Sequence, residues 1–160
     1  MVWRDSFPFE LSDEENFACD TAQAFAEKDV APLAAKIDRE HYFPRELIPK
    51  MGELGLLGSI IPSEYGGAGL STLAYALIIE ELSAACASTG IIVSAHTSLC
   101  VTPILEYGTE EQKRYFLPRL ASGQALGCFA LSEPSTGSDA AAITTTYRED
   151  GDGYVLNGTK

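Results

Sequence analysis

Gly127-Cys-Phe-Ala-Leu-Ser-Glu-Pro-Ser-Thr-Gly-Ser-Asp139 marks the point where the chain changes its period. Before it, apolar residues recur every three or four positions. Across Leu126 to Leu131 they form one short run bounded by turn residues, which reads as a strand. The segment that follows, Ser132 to Asp139, is dense in hydroxyls and carries one Pro, one Gly and a pair of carboxylates. Gly137 lets backbone come close to a ligand, and Ser135, Thr136 and Ser138 can donate to a phosphate or to ring heteroatoms. A surface loop built on Ser and Asx turns would use the same residues, so their chemistry alone leaves both readings open.

Upstream, the pattern predicts five helices. Ser12-Asp-Glu-Glu15 is a capping box that opens the first, along which Ala18, Ala22, Phe25, Val30, Leu33 and Ile37 recur at helical spacing. Pro32 is expected to kink or divide it, because proline removes one backbone hydrogen bond. A second helix is expected from Pro44 to about Leu54, followed by an extended segment and a glycine turn between Ser59 and Gly69. That turn lacks the GK[ST] continuation of a P-loop. Ser71 can cap a third helix, Thr72 to about Ala84, whose Leu73 to Ile79 leave almost no polar face and so call for a core or an interface. Glu80 and Glu81 at its end are expected to reach solvent. Ser88-Thr89-Gly90 is read as an interruption before a fourth helix, Ile91 to Tyr107, with Pro103 inside it and Gly108 at C′. Thr109-Glu-Glu-Gln112 is a second capping box and opens the fifth helix, which runs to Gly123.

Short connections between helices imply an all-α domain over residues 1–124. From 125 to 160 the signals are those of strands: Leu126 to Leu131, Ile143 to Tyr147, and Tyr154 to Leu156 after the turn Asp150-Gly-Asp-Gly153. Three strands leave an edge and a face uncovered, so this part reads as the truncated start of a β-domain.

With 23 acidic against 11 basic residues the formal charge is -12, which excludes a nucleic-acid partner, since counterion release needs clustered Lys and Arg. It leaves small anionic ligands open. The cysteines at 19, 86, 100 and 128 form no CxxC pair and no zinc spacing; they read as reduced, structural thiols, and no metal site is expected. The N-terminal residues lack a signal-peptide core and an Arg-rich transit pattern. The apolar runs are shorter than the ~20 residues of a membrane span. A cytoplasmic protein is the default expectation, with a matured organellar one as the alternative.

The run Leu131-Ser-Glu-Pro-x-x-Gly-Ser-Asp139 resembles the flavin-loop signature of the acyl-CoA dehydrogenases. Further segments resemble the same family in order and spacing: Met51-Gly-Glu-Leu-Gly-Leu56, Pro62-x-x-Tyr-Gly-Gly-x-Gly69, Glu80-Glu81-Leu82, Cys86-Ala-Ser-Thr-Gly90, Gly108-Thr-Glu-Glu-Gln-Lys113 and Leu156-Asn-Gly-Thr-Lys160. His96-Thr-Ser-Leu99 and Cys128-Phe-Ala-Leu-Ser-Glu133 are most similar to the short-chain, butyryl-type members.

The resemblance implies a mainly α fold, namely the family's N-terminal helical domain followed by the first strands of an incomplete β-domain. It implies FAD as cofactor, held in part by Phe129, Ala130, Leu131, Ser132, Glu133, Pro134, Ser135, Thr136, Gly137 and Ser138. Within that set, the backbone of Leu131 and Ser132 with the Ser132 hydroxyl would meet the pyrimidine edge of the flavin, and Gly137 and Ser138 would lie by the pyrophosphate. Ser138 would also contact an acyl-CoA substrate, and the helix carrying Ile91, Ala95 and Leu99 would floor the acyl pocket; ordinary core packing is the competing reading of that stripe. Glu133 before Pro134 is read as ordering the turn, and His96 as a hydrogen-bonding or interface histidine, neither as an acid or base. The family's base is a glutamate in a C-terminal helical bundle, so no catalytic residue is expected here. The resemblance further implies electron-transferring flavoprotein as acceptor, a homotetramer, and a bacterial cytoplasmic or mitochondrial-matrix location. The 160-residue chain alone is expected to be inactive. The alternatives are a non-catalytic helical module that binds a partner through Leu73 to Ile79, or one half of a split flavoenzyme.

Overall fold

A computed structural model of the chain describes residues 10–160. The reading of the N-terminus as leaderless falls on residues outside that range. The described residues form two compact units that divide after Cys128.

The first unit is helical: α1 (Asp13–Phe25), α2 (Ala31–Glu40), α3 (Leu47–Glu53), α4 (Thr72–Ala85), α5 (Ala87–Ala95), α6 (Thr102–Tyr107) and α7 (Glu110–Ala121). Both capping boxes form. Ser12 Oγ accepts from the Glu15 N–H at 3.2 Å while Glu15 takes the Ser12 N–H at 2.9 Å. Thr109 and Gln112 make the same exchange at 3.2 and 2.8 Å. Ser71 caps α4 through the Ala74 N–H and also donates to Glu15 at 2.9 Å, so the starts of α1 and α4 are pinned together. A core of Phe25, Val30, Leu47, Met51, Leu57, Ile78, Leu82 and Val93 gathers α1, α3, α4 and α5. A smaller one, with Ile61, Tyr65, Val101, Leu117 and Leu120, fastens α7 to the segment before α4.

The boundaries differ from the sequence expectation where packing decides them. The division expected at Pro32 takes the form of a π turn: it spans Ala26–Val30 just before the proline, and the Ala31 N–H reaches back to Ala26 O. A second π turn, His96–Val101, sits in the same way before Pro103. The expected break at Ser88 to Gly90 is absent; α5 begins at Ala87, and the chain turns at Cys86 instead, where φ is -159° and ψ 109°. Gly90 is there for close approach, because a Cβ on it would lie 2.0 Å from Ser83 Oγ on α4. The helix expected from Pro44 starts at Leu47, after a tight turn that includes the Leu47 N–H to Pro44 O bond. Ser59 to Gly69 is a series of turns around a 3-10 helix (Ser63–Tyr65), not an extended segment.

Two burial expectations are corrected. Glu80 is exposed, but Glu81 is 8 % exposed and accepts from Cys19 Sγ at 3.6 Å, because α1 lies across that face of α4. The continuous helical stretch Ala87–Tyr107 is long and apolar enough by length and composition to cross a membrane, contrary to the short runs read from the sequence. Its Thr89, Val93, His96, Thr97 and Val101 are buried in its own unit, as in the core helix of a bundle.

The second unit contains β1 (Thr146–Asp150) and β2 (Gly153–Asn157), an antiparallel hairpin in which Thr146 faces Asn157 and Asp150 faces Gly153. The expected strand at Leu126 to Leu131 does not form: no partner segment pairs with it among the described residues, and an apolar run cannot satisfy its backbone alone. The Ile143 to Tyr147 strand begins three residues later, at Thr146, because Thr144 and Thr145 are engaged elsewhere.

Candidate functional site

Phe129 to Ser138 run without regular structure into an isolated bridge in which Glu133 and Thr136 exchange both N–H to O=C bonds, at 2.9 and 3.1 Å. This closes the Pro134-Ser135 turn. The Thr136 hydroxyl donates to Asp139 O at 2.6 Å and so is spent within the loop.

Glu133 is the centre of the segment. Its Oε2 accepts from the Thr144 N–H at 2.8 Å and the Thr144 hydroxyl at 2.7 Å; its Oε1 accepts from the Thr145 N–H at 2.9 Å and pairs with Lys160 Nζ at 3.0 Å. Bonding from Thr145 and then Thr144 holds this carboxyl well below the usual carboxylate range. The Thr145 side chain also faces it, although Thr145 Oγ1 itself makes no hydrogen bond by geometry. A carboxylate whose lone pairs are taken by four donors cannot accept a further proton readily, so Glu133 orders the loop, as its place before Pro134 suggested. Lys160 Nζ also donates to Leu131 O at 2.8 Å. Sequence reading missed Thr144, Thr145 and Lys160; the only signal was the threonine run at 144–146, which read as strand propensity.

What remains available is a set of donors and a space. Ser132, Ser135 and Ser138 are exposed, and neither their hydroxyls nor the Ser132 N–H has a partner among the described residues. Gly137 has nothing within 4 Å of where a Cβ would stand. Phe129 is 56 % exposed and Leu131 half-buried. Unspent hydroxyl and amide donors beside open backbone fit a polar ring edge or a pyrophosphate, which is the donor set a flavin nucleotide requires.

The other expected residues lie in the helical unit. Ile91 and Leu99 are exposed and Ala95 is partly so, on the face of the helix opposite Val93 and Val101; they are not core. His96 is fully buried, and its Nδ1 accepts from the Gly127 N–H at 2.9 Å. The ring is therefore neutral, with its proton on Nε2, which faces the Leu57 and Leu120 carbonyls without meeting hydrogen-bond geometry with either. Burial pushes this imidazole down to about 4. A Cβ on Gly127 would lie 2.5 Å from Cys100 Sγ, so the contact with His96 needs glycine there. No disulfide joins Cys19, Cys86, Cys100 or Cys128; Cys19 and Cys86 are buried, Cys128 exposed. No group of His, Cys, Asp and Glu among the described residues could hold a metal ion.

Comparison with known proteins identifies the family. The family description "Acyl-CoA dehydrogenase, N-terminal domain" matches residues 12–124, and "Acyl-CoA dehydrogenase, middle domain" matches residues 128–160. The mouse mitochondrial short-chain specific acyl-CoA dehydrogenase is 52 % identical over 151 residues, covering 94 % of this chain and 37 % of the mouse protein. Butyryl-CoA dehydrogenase from Megasphaera elsdenii superposes with a TM-score of 0.89 at 38 % identity, over 95 % of this chain and 41 % of that one. An acyl-CoA dehydrogenase from Bacillus anthracis, solved in complex with FAD, superposes with a TM-score of 0.87 at 41 % identity, over 94 % and 26 %. The chain thus spans about two-fifths or less of the relatives it matches. With its helical part and its hairpin part each matched in order, the chain belongs to the acyl-CoA dehydrogenase family.

Proposed function

We propose that these residues form the N-terminal helical part and the start of the middle domain of an FAD-dependent acyl-CoA dehydrogenase acting on short-chain acyl-CoA. The observation that carries the reading is the Ser132 to Ser138 loop, with its unspent donors and open Gly137 beside a carboxylate that serves only to hold the loop. Phe129, Ala130, Leu131, Ser132, Pro134, Ser135, Gly137 and Ser138 would line the cofactor, Ser138 would reach the thioester, and Glu133 and Thr136 would support them from behind. Bound there, the flavin supplies the acceptor for the hydride that leaves the β-carbon.

The chain's own residues bind and orient; they do not move the α-proton. The loop offers hydroxyls and backbone amides, Glu133 is saturated, and His96 is buried in its neutral form. The resemblance to the family assigns proton abstraction, and with it trans-2-enoyl-CoA formation, to a glutamate outside these residues. By family resemblance, electron-transferring flavoprotein is the acceptor, a homotetramer the assembly, and a bacterial cytoplasm or a mitochondrial matrix the location. The exposed Ile91, Ala95 and Leu99 face suits an acyl-pocket floor better than core packing. The reading of α4 as a partner-binding helix is disfavoured, since Ala74, Leu77 and Ile78 are buried in its own unit.

The test uses the full polypeptide that carries these residues. Gly137→Val is expected to leave the melting temperature of the flavin-free protein unchanged, because none of the described residues stands within 4 Å of the added Cβ, and to abolish flavin absorbance. Ser138→Ala is expected to weaken cofactor or thioester binding by ~1.5–3 kcal/mol, the scale of one hydrogen bond to a charged group. Normal flavin content and kinetics in both variants would remove this loop from the cofactor site.

A further inference from the structure

Lys160 stands 29 residues from Leu131 in sequence, yet its ammonium is shared between the Leu131 carbonyl, at 2.8 Å, and the buried carboxylate of Glu133, at 3.0 Å. The carboxylate is itself fixed by the Thr144 and Thr145 N–H groups, so Lys160 is anchored on the Glu133 side of the loop. The Leu131 carbonyl and the Ser132 N–H belong to one peptide unit. That unit is planar and trans, with its C=O and N–H pointing in opposite directions. Holding the carbonyl toward Lys160 and Glu133 therefore turns the amide away from them, where it has no partner among the described residues and Ser132 is exposed.

We propose that Lys160 is a positioning residue for the flavin: by clasping the Leu131 carbonyl against Glu133 it presents the Ser132 N–H as a fixed donor to the pyrimidine edge of the ring. The proposal rests on the flavin reading of this loop. A donor fixed in advance matters most for the reduced ring, in which electron density at that edge rises, because no reorganisation is then needed as the charge develops. Without the clasp the peptide is free to rotate, and the donor loses its direction. Lys160 touches no substrate and takes no part in proton transfer; its effect passes through one peptide plane.

The experiment takes the full polypeptide, reconstituted with FAD, in wild-type, Lys160→Met and Lys160→Arg forms. Flavin affinity is read from fluorescence quenching, and the midpoint potential from a reductive titration. Lys160→Met is expected to weaken FAD binding about tenfold, the scale of one charge-assisted hydrogen bond, and to lower the potential, while Lys160→Arg restores both. A merely structural lysine would change yield or melting temperature without moving the potential. Wild-type affinity and potential in Lys160→Met overturn the proposal. Where that variant does not fold, Lys160→Gln keeps a neutral donor, with the same shifts expected at smaller size; unchanged values there overturn it equally. A wild-type protein that takes up no flavin overturns the flavin reading itself, before any variant is compared.

Discussion

Met51, Leu57, Leu82 and Leu117 of the helical unit are fully removed from solvent, whereas Tyr147, Tyr154 and Leu156, the large side chains of the hairpin, are each at least 67 % exposed. The first unit is held by apolar burial, worth roughly 1.5–3 kcal/mol for each large side chain taken out of water. Among these residues, which are only the start of a middle domain, the hairpin buries little, and what ties it to the loop is a polar knot in which Glu133 holds Thr144, Thr145 and Lys160. Burial is non-directional and forgiving of small shifts, while the knot fixes atoms to within hydrogen-bond tolerance.

Leu117→Ala, which empties part of the smaller core, is expected to cost about 2–5 kcal/mol in urea unfolding. Leu156→Ala on the hairpin should stay within about 0.5 kcal/mol. Equal losses would break the contrast drawn here.

The buried imidazole of His96 gives the helical unit a pH dependence. Its folded value, about 4, lies below the ordinary 6.5, so between the two the unfolded chain carries a proton at this position that the folded chain does not. Stability is therefore complete above pH 6.5 and falls as the pH drops toward 4, by about 3 kcal/mol. Glu133 works in the same direction, but only as the pH falls below its ordinary 4.5. Melting curves between pH 7 and 5 should show the decline in the wild type and a flatter profile in His96→Gln; parallel profiles would remove His96 as its source. A modest effect is expected at the start of α7, where Thr109→Ala removes one half of a capping box. It should cost about 1 kcal/mol by chemical denaturation, with no change in flavin content.

Features whose cause is local were legible in the sequence. Ser12, Ser71 and Thr109 cap helices because their partners lie three residues away. The loop from Ser132 to Asp139 was legible as a candidate site because its residue types are unusual together. Features whose cause is tertiary were not. Gly90 reads as a break until Ser83 is seen beneath it, and Glu81 reads as solvated until Cys19 is seen across from it. Leu126 to Leu131 reads as a strand because apolarity does not say whether a partner strand is present. The Lys160 to Leu131 bond leaves no mark in the sequence, since neither residue type implies the other.

The two π turns carry a consequence for how these helices are numbered. Each holds one residue more than an α-helix needs, which advances everything beyond it by about 100° around the axis. Each is thus an absorbed insertion, and the proline two positions further on keeps a place near the start of a new helical segment instead of the middle of an old one. Removing one residue from Ala26–Val30 or from His96–Val101 would restore an unbroken α-helix and leave Pro32 or Pro103 in its interior, where it breaks a hydrogen bond and strikes the preceding turn. Any stripe of residues counted across either π turn has to be shifted by one position before it describes a face.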